Sequence, residues 1–341
     1  MKAVVFQGVG QTLTVEERAE DELATNQIKV QVKACGICGS DLHFSETKSA
    51  KPGTVFGHEF AGVVSAVGSE VSRWQVGDRV VPLPHSSCGK CTMCLAGENL
   101  RCENLQNMGF SPAYTGAYSQ FVVVGENEAI HLPDNVDFNR AAAIEPLAVG
   151  YEAIAKARIQ MDDAALIIGA GPIGLTLATW LKHFGVTHIA ISERNEKRLA
   201  LASQMGANIC INANKTDNPV EEFTRQTGRA PSIIFEAVGI PGIIQSCINM
   251  AEVGTRIVAV GACQTADTFY PVSCSVKKIE LIFPFSYSLA DYETIITLIN
   301  QGRIDPEPLI SHIVSLDEVP DIFEALRNPK DHIKVLIDPW K

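Results

Sequence analysis

Apolar residues recur along this chain with two different periods, and the change of period divides it. Ile28-Lys29-Val30-Gln31-Val32-Lys33 alternates apolar and polar positions. That predicts a half-exposed strand, because successive strand side chains point to opposite faces. Residues 62–68, 79–82 and 121–124 are predicted as further strands, with glycine and proline between them marking turns. The first ~150 residues therefore read as β-rich on pattern alone. From 139 to 157 the spacing becomes helical, with Asp137 placed to cap it. Residues 164–169 are an uninterrupted apolar run of the kind found in buried parallel strands. A helix is predicted over 172–184, and strands over 187–192, 232–236 and 255–261, with helical stretches between them. This alternation predicts a doubly wound parallel sheet. Beyond Phe285 helices are predicted over 291–301 and 316–327, and a closing strand over 333–337.

Composition narrows the class. At 341 residues the chain is long enough for two domains with separate cores. With 46% hydrophobic and 20% charged residues it is expected to be globular, not disordered. A net charge of −11 argues against a nucleic-acid partner, which needs a basic face. No window approaches the ~20 apolar residues of a membrane span, and Met1 to Phe6 reads as a strand, not as a secretory signal. Ten cysteines without such a signal point to a reducing, cytoplasmic location and to metal use. Cys35, Cys210, Cys247, Cys263 and Cys274 lie in apolar surroundings and are expected in the core.

The run Cys88-Gly89-Lys90-Cys91-Thr92-Met93-Cys94, followed by Cys102, carries chemistry. Cysteines at every third position do not readily cross-link to one another, but their thiolates can converge on one soft cation. Four thiolates make a closed tetrahedral zinc site, which leaves no open position and is a structural pin. A second constellation comes in two pieces, Cys35-Gly36-Ile37-Cys38-Gly39-Ser40-Asp41-Leu42-His43 and Gly57-His58-Glu59-Phe60-Ala61-Gly62. Cys38, His58 and Glu59 offer sulfur, imidazole and carboxylate, a mixed set that suits zinc with a position left for water or substrate.

Gly169-Ala170-Gly171-Pro172-Ile173-Gly174 follows the first buried strand and opens a helix. In that setting the glycines admit a tight turn and a close approach to a pyrophosphate, which the helix N-terminus then faces. Pro172 suits the first helical position. Glu193 ends the second strand, where a carboxylate can accept bonds from the adenosine ribose and repel a 2′-phosphate. This favours NAD over NADP, although Arg194 beside it can grip a phosphate.

In these motifs, taken with Val76-Gly77-Asp78-Arg79-Val80 and Ile144-Glu145-Pro146-Leu147-Ala148-Val149-Gly150, the chain resembles the zinc-containing medium-chain alcohol/polyol dehydrogenases along its whole length. It is most similar to the sorbitol, butanediol and threonine dehydrogenase branch. The resemblance implies a GroES-like β-rich catalytic domain over 1–148 and 287–341, and a Rossmann domain over 149–286 inserted within it. It implies two zinc ions per chain, one catalytic and one structural, with NAD as cofactor. Cys38, His58 and Glu59 are then ligands, and Glu145 is either the fourth ligand or an acceptor behind the coordinated water; Glu59 and Glu145 can exchange these roles. Ser40 takes the alcohol's proton and His43 passes it on through the nicotinamide ribose, while Arg198 helps hold the adenosine ribose. Asp41 reads as a structural hydrogen-bonding residue. A homodimer or homotetramer is expected, with the apolar, β-prone residues 278–285 as a pairing edge. The substrate is expected to be a small neutral secondary alcohol, diol or polyol, in a pocket lined by the stretch after His43, Phe56 and residues 108–114 and 283–287. Readings as an NADP-preferring ketone reductase, a zinc-free reductase of the same superfamily or an inactive zinc- and nucleotide-binding regulator stand as alternatives.

Overall fold

The computed structural model describes residues 1–285, 287–328 and 332–341. They form two units, Met1–Glu145 with Tyr287–Lys341, and Pro146–Ser286.

The first unit carries a seven-stranded sheet. Its order is Ile310–Val314, Lys334–Ile337, Gln27–Gly36, Glu59–Val67, Arg79–Pro82 and Ala129–His131, with Phe121–Gly125 paired to Gln27–Gly36. The alternation in the first strand appears as burial: Ile28, Val30, Val32 and Ala34 face the core, and Lys29, Gln31 and Lys33 are half-exposed. Beneath the sheet Phe56 stacks on Phe323 at 5.9 Å and meets Tyr118 edge-on at 6.4 Å. Each such buried ring stabilises the unit by about 1.5–3 kcal/mol. Phe56 and Met108, expected to line a substrate pocket, are core residues at 1% and 0% exposure. Ser286, from the same expectation, lies outside the described residues.

The helical stretch read over 139–157 is two helices, Phe138–Ala142 and Ile144–Ala157. Asp137 caps the first, accepting from the Arg140 N–H at 2.9 Å. The break follows from Pro146, which has no N–H to offer the carbonyl four residues back. The stretch read over 316–327 likewise starts as a 3-10 turn, Leu316–Glu318, before the helix Val319–Leu326.

The second unit carries a six-stranded, wholly parallel sheet. Its order is Ile209–Asn212, His188–Glu193, Ala164–Ile168, Ile233–Glu236, Arg256–Ala259 and Glu280–Ile282. Strand order reverses between Ala164–Ile168 and Ile233–Glu236, and in such sheets dinucleotides bind beyond the strand ends at that switch point. Leu166, Ile167, Ile234 and Phe235 are fully buried, as continuous apolar runs require in a sheet covered on both faces. Cys247 and Cys35 are core residues, whereas Cys210 is exposed and Cys263 and Cys274 are half-buried. Cys210 departs from expectation because it lies on the edge strand Ile209–Asn212, where alternate residues point outward. No helix among the described residues is long and apolar enough to cross a membrane.

Candidate active site and metal centres

Cys38 follows the long strand Gln27–Gly36 and stands at the N-cap of the short helix Gly39–Ser45. His58 precedes the strand Glu59–Val67, which Glu59 opens. Antiparallel pairing sets Gly36 opposite Glu59, so two neighbouring strand ends bring the three residues together. One donor atom from each of Cys38, His58 and Glu59 lies within 4.8 Å of the other two. Gly36 is needed here, because a Cβ on it would stand 2.0 Å from Glu59 Oε2.

Each member is held from behind. Ser40 Oγ lies 3.3 Å from His58 Nε2. Asp41 Oδ1 faces His58 Nδ1 at 3.2 Å, an electrostatic contact without hydrogen-bond alignment. The other Asp41 oxygen accepts from the Tyr118 hydroxyl at 2.7 Å and the Cys38 N–H at 3.2 Å. A carboxylate so anchored orients a metal-binding imidazole from its far side. Glu59 accepts from Lys334 Nζ at 2.6 Å on both oxygens, and the same ammonium donates to the Ile37 carbonyl at 3.2 Å. Lys334 and Glu59 are 2% and 1% exposed, and opening so buried a pair costs about 3–5 kcal/mol. Glu145 is buried too, but it lies outside the set of three mutually close donors and accepts from the Tyr287 hydroxyl. Phe110 stands 5.3 Å from the His58 ring and meets Phe44 at 5.0 Å, which gives the site an aromatic wall.

The electrostatics call for a cation. Burial pushes the Cys38 thiol up, and Glu59 adds to this. Burial alone would keep His58 neutral, but Asp41 and Cys38 outweigh it and raise its pKa well above the usual value. Burial lifts the Glu145 carboxyl to about 7. Burial also works against the Lys334 charge, yet Glu59 outweighs it and raises the pKa. Without a metal, such a donor set recruits protons in place of one.

The second cluster is separate. Donor atoms of Cys88, Cys91, Cys94 and Cys102 all lie within 4.8 Å of one another. The Cys88 and Asn104 N–H groups each point at Cys102 sulfur from 3.3 Å. N–H groups of Lys90 and Cys91 lower the Cys88 thiol to about 6, so it ionises readily. Four sulfurs packed this way repel once ionised, and a tetrahedral cation relieves that.

In the other unit Gly171 caps the helix Pro172–His183, with Pro172 in its first turn and Ile173 half-buried beside it. Gly169 adopts φ +99°, and a Cβ on Gly174 would stand 2.0 Å from the Gly169 carbonyl oxygen. A Cβ on Gly171 would meet nothing within 4 Å, so the backbone there is open to a ligand. Glu193 ends its strand and accepts N–H groups from Ala170 at 2.8 Å, Arg194 at 2.7 Å and Asn195 at 2.9 Å. Arg194 is exposed, and Arg198 is half-buried on the helix Glu196–Met205.

Residues 24–134 match the alcohol dehydrogenase GroES-like domain, and residues 172–301 match the zinc-binding dehydrogenase domain. L-idonate 5-dehydrogenase of Vitis vinifera is 30% identical over 96% of this chain and 92% of its own. Sorbitol dehydrogenase of Bacillus subtilis (strain 168) is 30% identical over 99% of this chain and 97% of its own. This chain belongs to the zinc-containing medium-chain alcohol/polyol dehydrogenases. Its fold is that of an alcohol dehydrogenase from Escherichia coli CFT073 solved with NADH, with TM-score 0.88, 30% identity and 99% of each chain covered.

Two residues of this dehydrogenase's site escape a reading by motif. Lys334 comes from the last strand, 275 residues from its partner Glu59. Its signal is a lysine inside the otherwise apolar Ile333-Lys334-Val335-Leu336-Ile337, all but the first of which are buried. Tyr287 carries no sequence signal for its bond to Glu145.

Proposed function

We propose that this dehydrogenase oxidises a small secondary alcohol, diol or polyol to the ketone, with zinc held by Cys38, His58 and Glu59 and NAD as hydride acceptor. The convergence of a half-buried thiol with a buried imidazole and carboxylate, with Ser40 against His58, carries this reading. The donor set fits zinc, since three mixed protein ligands leave a fourth position for substrate. Bound there, zinc supplies a Lewis acid that lowers the pKa of the substrate hydroxyl. Ser40 accepts the hydroxyl proton. His43, three residues on along the helix Gly39–Ser45, shares its face and relays the proton outward. Asp41, on Nδ1, keeps the imidazole turned so that Nε2 faces Ser40. Lys334 keeps Glu59 aimed through bonds to both carboxylate oxygens. Tyr287 holds Glu145 back as an acceptor beside the ligands. Phe44 and Phe110 exclude water from one side of the site.

Cys88, Cys91, Cys94 and Cys102 hold a second, structural zinc. The region 149–286 binds the dinucleotide through Gly169, Gly171, Pro172, Ile173 and Gly174. Glu193 lies at the adenosine ribose, with Arg194 and Arg198 at its side. The metal sites belong to 1–148 and 287–341. A homodimer or homotetramer is supported by the edge strand Glu280–Ile282, beside which Phe283 and Phe285 are 61% and 81% exposed. A cytoplasmic location is supported by ten free cysteines.

The test is steady-state turnover of sorbitol, 2,3-butanediol, L-idonate, threonine and a sugar phosphate with NAD and with NADP. The expected result is the highest kcat/KM for a neutral diol or polyol with NAD. Preference for the phosphate or the amino acid refutes the pocket assignment, and preference for NADP refutes the role of Glu193.

A further inference from the structure

We propose that His312 and His332 form a surface chelate for one divalent transition-metal ion, distinct from both zinc sites. His312 lies on the strand Ile310–Val314, and His332 leads into its parallel neighbour Lys334–Ile337. Their Nδ1 atoms are 3.3 Å apart. Two imidazole nitrogens bound at about 2.0–2.1 Å to one tetrahedral ion stand about 3.3–3.4 Å apart, so the spacing already suits a shared metal. The rings cross at 79° with centroids 4.5 Å apart. With each ring protonated on Nε2, both Nδ1 lone pairs serve as donors.

The pair is also held in place. Ser311 Oγ accepts the Ile333 N–H at 3.0 Å and donates to the Lys334 carbonyl at 3.0 Å. This hydroxyl ties the residue before His312 to the two residues after His332, across a register shift between Ile310 and His312. His312 further lines an open cleft of about 410 Å³ with Glu307 and Ser311. Imidazole pairs suit Ni²⁺, Cu²⁺ and Zn²⁺.

The experiment uses untagged, zinc-replete enzyme, titrated with NiCl₂ by calorimetry and passed over an immobilised-nickel column. The expected result is one nickel site per chain beyond the zinc content, and retention on the column. His312→Ala and His332→Ala should each abolish both signals while turnover stays unchanged. Ser311→Ala should weaken nickel binding with both imidazoles present, and His131→Ala, which changes another exposed histidine, should leave it intact. Absence of nickel binding by the wild type, or wild-type binding by either histidine variant, overturns the proposal.

Discussion

Cys88, Cys91, Cys94 and Cys102 come from one short stretch of chain and remain largely half-exposed, whereas Cys38, His58 and Glu59 come from two strand ends, with His58 and Glu59 buried and Glu59 paired to Lys334 of the last strand. The helix Thr92–Leu95 inside the lobe buries no residue at all. A segment with no apolar core of its own has little but the metal to hold it, as in small metal-stapled domains. The other site rests on the strand ends of a seven-stranded sheet that has a core of its own. The difference teaches that one donor cluster organises its surroundings while the other is organised by them.

Replacing one sulfur in each cluster separates the two sites most clearly. Cys38→Ser should lower turnover at least a thousandfold, about 4 kcal/mol of transition-state stabilisation, with thermal stability close to wild type. Cys94→Ser should instead release about one equivalent of zinc per chain and expose residues 85–107 to proteolysis. Equal losses of thermal stability in the two variants would contradict the division.

Lys334→Met sharpens it from the buried side. Glu59 then keeps a buried charge without its ammonium, so metal-free protein should lose about 3–5 kcal/mol in denaturant unfolding. Zinc-loaded protein should lose less, because the ion replaces the missing cation, and adding Glu59→Gln should recover part of the loss. An identical loss with and without zinc would show that Lys334 and the metal do not share Glu59.

The smallest expected effect concerns orientation alone. Asp41→Asn should weaken zinc at Cys38, His58 and Glu59 by about 10–100-fold in competition with a chromophoric chelator, while the four-cysteine zinc stays bound. Unchanged affinity would mean that the 3.2 Å contact to His58 does not position the ring.

Much of the architecture was legible beforehand, because side-chain periods report which backbone form buries them. The strand from Gln27 and the helix from Pro172 came directly from such patterns. Apolar spacing runs through the break at Ala143, and only the missing N–H of Pro146 interrupts the hydrogen-bond ladder. For Cys210, an apolar neighbourhood in sequence does not reveal that its strand is an edge.

By itself the sequence determined the donors that spacing brings together: four sulfurs within reach along one loop, and a glycine turn between a strand and a helix. Those contacts are local, and the chain's own geometry is sufficient to make them. The packed fold sets the two acidic residues Glu59 and Glu145 apart, because Glu59 alone of the two stands within 4.8 Å of Cys38 and His58. Both are carboxylates in recognisable motifs, and nothing local separates them. Strand pairing sets Glu59 opposite Gly36 and lets Lys334 close on it, while Tyr287 holds Glu145 aside. A buried charge takes its role from the partners that compensate it, and here those partners come from the far end of the chain.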